Sequence, residues 1–161
     1  HIDERGYFSE TYRKSAFAGI NTEFVQDNFV RSDHRVLRGL HFQLPPKAQG
    51  KLVRVVRGEI FDVAVDLSAG SDTFSQWVGI QMSSEQEAQL YIPPGFAHGF
   101  YTLTDSVDFV YKTTDYYHPE HDRTLLWNDP VLNIDWGLDG DPLLSEKDVK
   151  GKTFEECEKY E

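Results

Sequence analysis

The sequence carries six histidines among 161 residues, and His41 has the most informative surroundings. It stands in Leu37-Arg38-Gly39-Leu40-His41-Phe42-Gln43, where Leu40 and Phe42 fall on one strand face while Gly39 and Gln43 share the face of His41. An imidazole titrates near 6.5 and suits general-base work around neutrality. Such a base cannot remove an ordinary C–H proton. It can remove one beside a carbonyl when a cation or a strong donor takes the charge that grows on the oxygen. Lys51, in Gln49-Gly50-Lys51-Leu52, is a candidate cation, Tyr111 a candidate proton donor, and Asp148 a candidate carboxylate to orient an imidazole. Each has an ordinary reading as well. Alternation alone favours His41 as a hydrogen-bonded core residue, Lys51 as a solvated strand end and Tyr111 as a core tyrosine. Asp148 lies three residues after Ser145, the spacing of a helix capping box.

The elements that must hold these groups read mostly as strands. In Ile60–Leu67, Phe61, Val63, Val65 and Leu67 share one face, with Asp62 and Asp66 on the other. Val78, Ile80 and Met82 alternate with Gly79 and Gln81, and Val107, Phe109 and Tyr111 with Asp108, Val110 and Lys112. Shorter apolar stretches lie at 51–56, 89–92 and 100–103. Turn signals such as Arg57-Gly58-Glu59, Pro93-Pro94-Gly95 and Asn128-Asp129-Pro130 separate them. Many short strands without long helical patterns predict an antiparallel sandwich or barrel. Short helices are expected only in a tail from about residue 145, where Ser145/Asp148 and Thr153/Glu156 have capping-box spacing. The whole chain, 1–161, is read as a single domain.

Pro93-Pro94-Gly95-Phe96-Ala97-His98-Gly99 matches the P-x-G-x-x-H pattern of the second cupin motif, in which a turn presents a histidine into a β-barrel. Metal cupins pair that histidine with an H-x-H from the first motif. Here the corresponding place is His41-Phe42-Gln43, and an amide is a poor ligand for a transition metal. The expectation is an all-β, cupin-like jelly roll with no metal.

Composition narrows the classes further. Sixteen Lys and Arg face 27 Asp and Glu, a formal net charge of -11, which repels nucleic acid and anionic membranes at long range. An anionic ligand then needs a local basic pocket. Arg38, Lys51, Arg54 and Arg57 cluster in one segment and suit a diphosphate, while Phe24, Tyr116 and Tyr117 offer flat faces for a base. No apolar run approaches the ~20 residues of a membrane helix, so a cytoplasmic protein is expected. One cysteine, Cys157, leaves no internal disulfide.

Taken together, the segments Asp3-Glu4-Arg5-Gly6, Phe24–Asn28, Val36–Gln43, Gln49–Arg54, Gly58–Asp66, Ile92–Phe100, Tyr111-Lys112 and Trp127–Pro130 resemble the dTDP-4-dehydrorhamnose 3,5-epimerase family. The resemblance covers the chain from Asp3 to about Asp148. It implies a cofactor-free jelly-roll homodimer that deprotonates C3 and C5 of a dTDP-4-keto-6-deoxyhexose and returns the protons from the opposite face. By motif match His41 would be the base, paired with Asp148; Tyr111 the acid; and Lys51 the stabiliser of the enolate. Arg38 and His98 would line the sugar and phosphate end. Gln26, Asp27, Asn28 and Lys147 would contact the nucleotide, and Tyr117 would stack near the base. Arg5 and Glu10 would complete the site of the neighbouring subunit. Two departures stand out. The family usually carries more residues before Asp3, and a binding position that is usually Glu falls on Asp122. A narrower enzyme inverting C3 or C5 alone, or a non-catalytic nucleotide-sugar module, are the alternatives that the resemblance leaves.

Overall fold

Alternating strands dominate the computed structural model, which describes residues 1–17, 19–20 and 22–161. A small hairpin pairs β1 (Ile2–Asp3) with β2 (Gly6–Tyr7). The remaining strands are β3 (Gln26–Asp33), β4 (Leu37–Gln43), β5 (Lys51–Arg57), β6 (Glu59–Asp66), β7 (Trp77–Ser83), β8 (Gln89–Ile92), β9 (Phe96–Thr102), β10 (Ser106–Thr113) and β11 (Asp122–Thr124). They build two antiparallel sheets. One is four-stranded in the order β3-β10-β5-β8, and the other five-stranded in the order β11-β4-β9-β6-β7. This is the expected all-β jelly-roll sandwich.

Both faces of β6 are used. Val63 and Val65 join Leu37, Leu40, Phe42, Leu125 and Trp136 in a core beneath the C-terminal segment. Ile60 and Ala64 join Val53, Val55, Phe100 and Phe109 in a second core between the two sheets. Each such side chain contributes roughly 1.5–3 kcal/mol on full burial, enough in sum to hold polar groups in the same interior.

Strand β4 carries a device that alternation does not show. Its register against β9 shifts between Arg38 and His41. Leu37, Leu40 and Phe42 all enter the outer core, although Leu37 and Leu40 are an odd step apart. Gly39 makes this possible: its φ is +125°, and a Cβ there would lie 2.5 Å from the Gly99 Cα. The bulge therefore sends Arg38 and His41 to the same side, between the sheets.

Two expectations need correction. The C-terminal tail holds one helical turn, α1 (Glu146–Val149), rather than several helices. Thr153 and Glu156 make the reciprocal capping bonds, but only a turn follows, because the chain leaves to bury Tyr160 against β4. Val78 and Ile80 lie on the face of β7 that looks toward the second sheet, and at the edge of their sheet they remain 52% and 38% exposed. Among the described residues, no helix is long and apolar enough to cross a membrane.

Candidate active site

A cavity of about 170 Å³ opens between the sheets, lined by Val30, Arg38, His41, Lys51, His98, Gly99, Phe100, Phe109 and Tyr111. Five strands of both sheets supply it. On β4 the bulge delivers Arg38 and His41, and His41 lies directly opposite His98 of β9. On β5, Lys51 shares a face with Val53 and Val55, so strand alternation carries it inward. Tyr111 extends the inward row of Val107 and Phe109 on β10, while Val30 comes from β3.

His41 is paired. Its Nε2 lies 2.6 Å from Asp148 Oδ1. Burial pushes the Asp148 carboxyl up, but hydrogen bonds from His41, from Ser145 and from the Gly39 amide outweigh it and hold the group below the ordinary carboxylate range. An ionised Asp148 makes Nε2 the donor and leaves Nδ1 as the ring's proton acceptor. Burial also lowers the imidazole pKa, beyond what the Asp148 contact restores. His41 is thus an oriented imidazole whose Nδ1 is free to accept a proton.

Lys51 is 9% exposed and is not the solvated strand end that composition suggests. Its Nζ donates to the His41 carbonyl at 3.2 Å. Burial brings its pKa down from 10.5 to about 8, only partly offset by Asp122 and Asp62. The ammonium keeps unused donor capacity facing the cavity, which suits an oxygen that acquires negative charge. The Tyr111 phenol is raised by burial and stays protonated through the neutral range.

The sequence reading missed Asp62. It is 1% exposed, and both carboxylate oxygens lie within 3.0 Å of His98 Nε2. The signal was present: an acidic residue on the inward face of an otherwise apolar strand needs a partner. Ser32 is a second unforeseen support, accepting from Arg38 Nε at 3.0 Å.

The other expected binding residues divide. Asp122, Tyr117 and Lys147 cluster, with Tyr117 donating to Asp122 Oδ2 at 3.2 Å and Lys147 pairing with the same oxygen. Gln26 and Asn28 are joined at 3.0 Å, and Asn28 lies opposite Tyr111 in the sheet. Asp27 departs from this group. It points to the other side of β3, where it accepts from Lys112 at 2.7 Å. Arg5 binds Asp3 in the exposed hairpin and Glu10 pairs with Arg13, so neither lines the cavity of its own chain. Gln43 donates its amide to the Lys47 and Tyr116 carbonyls and accepts from the His118 amide, so its side chain is engaged by the backbone. Among the described residues, no group of three His, Cys, Asp or Glu is placed to hold a metal ion.

A jelly roll with a paired imidazole, a buried ammonium and a phenol around one cavity has the make-up of a cupin-like isomerase. The particular family follows from comparison. The family model of dTDP-4-dehydrorhamnose 3,5-epimerase matches residues 1–156, and the chain belongs to that family. A Pseudomonas aeruginosa dTDP-4-dehydrorhamnose 3,5-epimerase is 55% identical over 97% of this chain and 87% of its own length. The Legionella pneumophila dTDP-6-deoxy-D-glucose-3,5-epimerase, solved with dTDP-4-keto-L-rhamnose, superposes with a TM-score of 0.93 at 51% identity, covering 97% of this chain and 84% of that one. A 3'-monoepimerase from Streptomyces bikiniensis, solved with dTDP-quinovose, shares the fold at TM-score 0.89 and 34% identity, covering 95% and 79%.

Proposed function

We propose that this chain is a 3,5-epimerase of a dTDP-4-keto-6-deoxyhexose and inverts both carbons that flank the C4 carbonyl, using no cofactor. The observation that carries the reading is the His41–Asp148 pair facing Lys51 and Tyr111 across one small cavity. His41 Nδ1 takes the proton next to the carbonyl, and the electron pair moves onto the C4 oxygen. Lys51 stabilises that oxygen as an enolate. Tyr111 then returns a proton to carbon from the opposite face, which inverts the centre. Arg38 and His98, each held by a second side chain, suit the diphosphate end. Gln26, Asn28, Tyr117, Asp122 and Lys147 suit the nucleotide.

The reading includes a homodimer. Ile2, Tyr7 and Phe8 are 89%, 66% and 69% exposed in the N-terminal segment, an apolar face that a second copy would cover, and Arg5 and Glu10 travel with it. The deciding experiment is incubation with dTDP-4-keto-6-deoxyglucose in heavy water, with NMR of the product. Deuterium and inversion at both C3 and C5 are expected. Exchange at one carbon alone makes the chain a monoepimerase, and no exchange with tight dTDP binding makes it a binding module.

Tyr111→Phe separates proton removal from inversion. It is expected to keep exchanging substrate protons with solvent while inverted product falls by about 10²-fold. Wild-type inversion in this variant removes Tyr111 as the acid.

The pH profile follows from two shifts. His41 must be neutral to act, and its lowered pKa moves the acid limb of kcat/KM below 6.5. Lys51 must be charged, and it loses its proton as pH rises through about 8, which sets the alkaline limb. An alkaline limb that persists unchanged in Lys51→Met assigns that limb to another group.

A further inference from the structure

We propose that Ser145 is a positioning residue of the epimerase reaction, whose hydroxyl fixes the Asp148 carboxylate on which the His41 base is mounted. The inference rests on the functional reading above and assigns a role to a residue outside the cavity.

Ser145 and Asp148 occupy the N-cap and N3 positions of α1, a capping box. In such a box the N3 side chain ordinarily returns to the N-cap backbone N–H, and its work ends there. Here the contact with that N–H is long, at 3.4 Å, whereas the Ser145 hydroxyl donates to Asp148 Oδ2 at 2.6 Å. The other oxygen, Oδ1, accepts from His41 Nε2 at 2.6 Å and from the Gly39 amide at 3.3 Å. The two oxygens are therefore divided, one to the cap and one to the base. Asp148 is 2% exposed, unlike a helix-end residue that serves only the cap.

The division has a chemical consequence. A carboxylate held at one oxygen cannot rotate, so it offers His41 one acceptor in one direction. That bond selects the tautomer with Nδ1 free, and the direction sets where Nδ1 meets the sugar. The Ser145 proton also spreads the carboxylate charge, which keeps Asp148 from binding the imidazolium too tightly. The charged and titratable groups around this pair are Lys147 on the same turn, Lys51 on β5, Arg38 on β4, Tyr111 on β10, Asp122 on β11 and the His98–Asp62 pair on β9 and β6. None of them donates to Asp148, so none replaces the hydroxyl.

Three variants separate this role from simple capping. Ser145→Thr keeps acceptor and donor, and its methyl has open solvent, since Ser145 is exposed. Ser145→Asp is as good an N-cap as serine but has no proton to give and sets a second anion beside Asp148. Ser145→Ala removes both. With the keto-sugar in heavy water, Ser145→Ala is expected to lower kcat about tenfold with KM within about twofold. Ser145→Thr should restore kcat. Ser145→Asp should fall as far as alanine and move the acid limb of the pH profile upward, because the added charge favours the imidazolium. Wild-type kcat and an unmoved acid limb in Ser145→Asp overturn the proposal, as does failure of threonine to restore activity. Titration of the His41 imidazole by NMR needs no turnover: a raised value in Ser145→Asp supports the role, and an unchanged one refutes it. A wild-type protein that turns over nothing refutes the functional reading instead, and the titration still judges Ser145.

Discussion

His41→Ala abolishes deuterium incorporation at both C3 and C5 of the keto-sugar, with turnover falling by about 10²–10⁴-fold. The expectation covers both carbons because both lie next to the same carbonyl and His41 faces Lys51 and Tyr111 across the cavity. Lys51 is charged below about pH 8 and Tyr111 is protonated, so neither takes a proton there. His98, paired with Asp62 as His41 is with Asp148, belongs to the diphosphate end in this reading. Removing the imidazole leaves Asp148 with Ser145 and the Gly39 amide as donors, so the buried carboxylate is not orphaned. His41→Gln is the control for folding: its amide nitrogen lies near the place of Nε2 and can still donate to Asp148, but it has no basic lone pair. Both variants should bind dTDP. NMR of the recovered sugar after incubation in heavy water makes the measurement. Exchange that survives at C3 while vanishing at C5, or the reverse, requires a second base and ends the one-base mechanism.

The reading of the sequence succeeded where period-two alternation is sufficient and failed where something interrupts it. The β6 pattern placed Val63 and Val65 against one core and Asp62 on the opposite side, and the structure keeps both assignments. Lys51 and Tyr111 fall inward by the same rule. Arg38 and His41 do not obey it, because they are three residues apart and share a side only through the bulge at Gly39. A glycine in a strand hints at such a bulge but does not announce which neighbours it realigns. The motif match supplied Arg38 where periodicity did not. Val78 and Ile80 show the opposite limit, since the pattern identifies a strand but not that it ends a sheet. The capping box of Ser145 and Asp148 was legible from spacing. That its carboxylate also reaches a histidine 107 positions earlier came from the motif match alone, because no local rule links the tail to β4.

Lys51 sets catalysis against stability, and Lys51→Met tests the conflict. The site holds a nearly buried ammonium whose only bond among the described residues is to one backbone carbonyl at 3.2 Å. Its folded pKa of about 8 lies below the ordinary 10.5, so the unfolded chain binds the proton more tightly. The penalty is therefore fully present below pH 8 and is relieved as pH rises from about 8 toward 10.5. Its size is on the order of 3 kcal/mol at neutral pH, before any relaxation of the site. Methionine fills similar space without the charge, so Lys51→Met should melt higher than the wild type at pH 7, and the difference should shrink as the pH is raised. The same substitution removes the partner of the enolate oxygen and should lower kcat by about 10²–10³-fold, the loss typical of an oxyanion donor. Thermal melts at pH 7 and pH 10, run beside turnover on the keto-sugar, read both effects. A variant that is less stable at pH 7 and still turns over at the wild-type rate would make Lys51 a structural residue and leave the enolate with no cation. Greater stability with lost turnover fits an ammonium retained for the transition state, where the negative oxygen provides the counter-charge that the folded protein withholds.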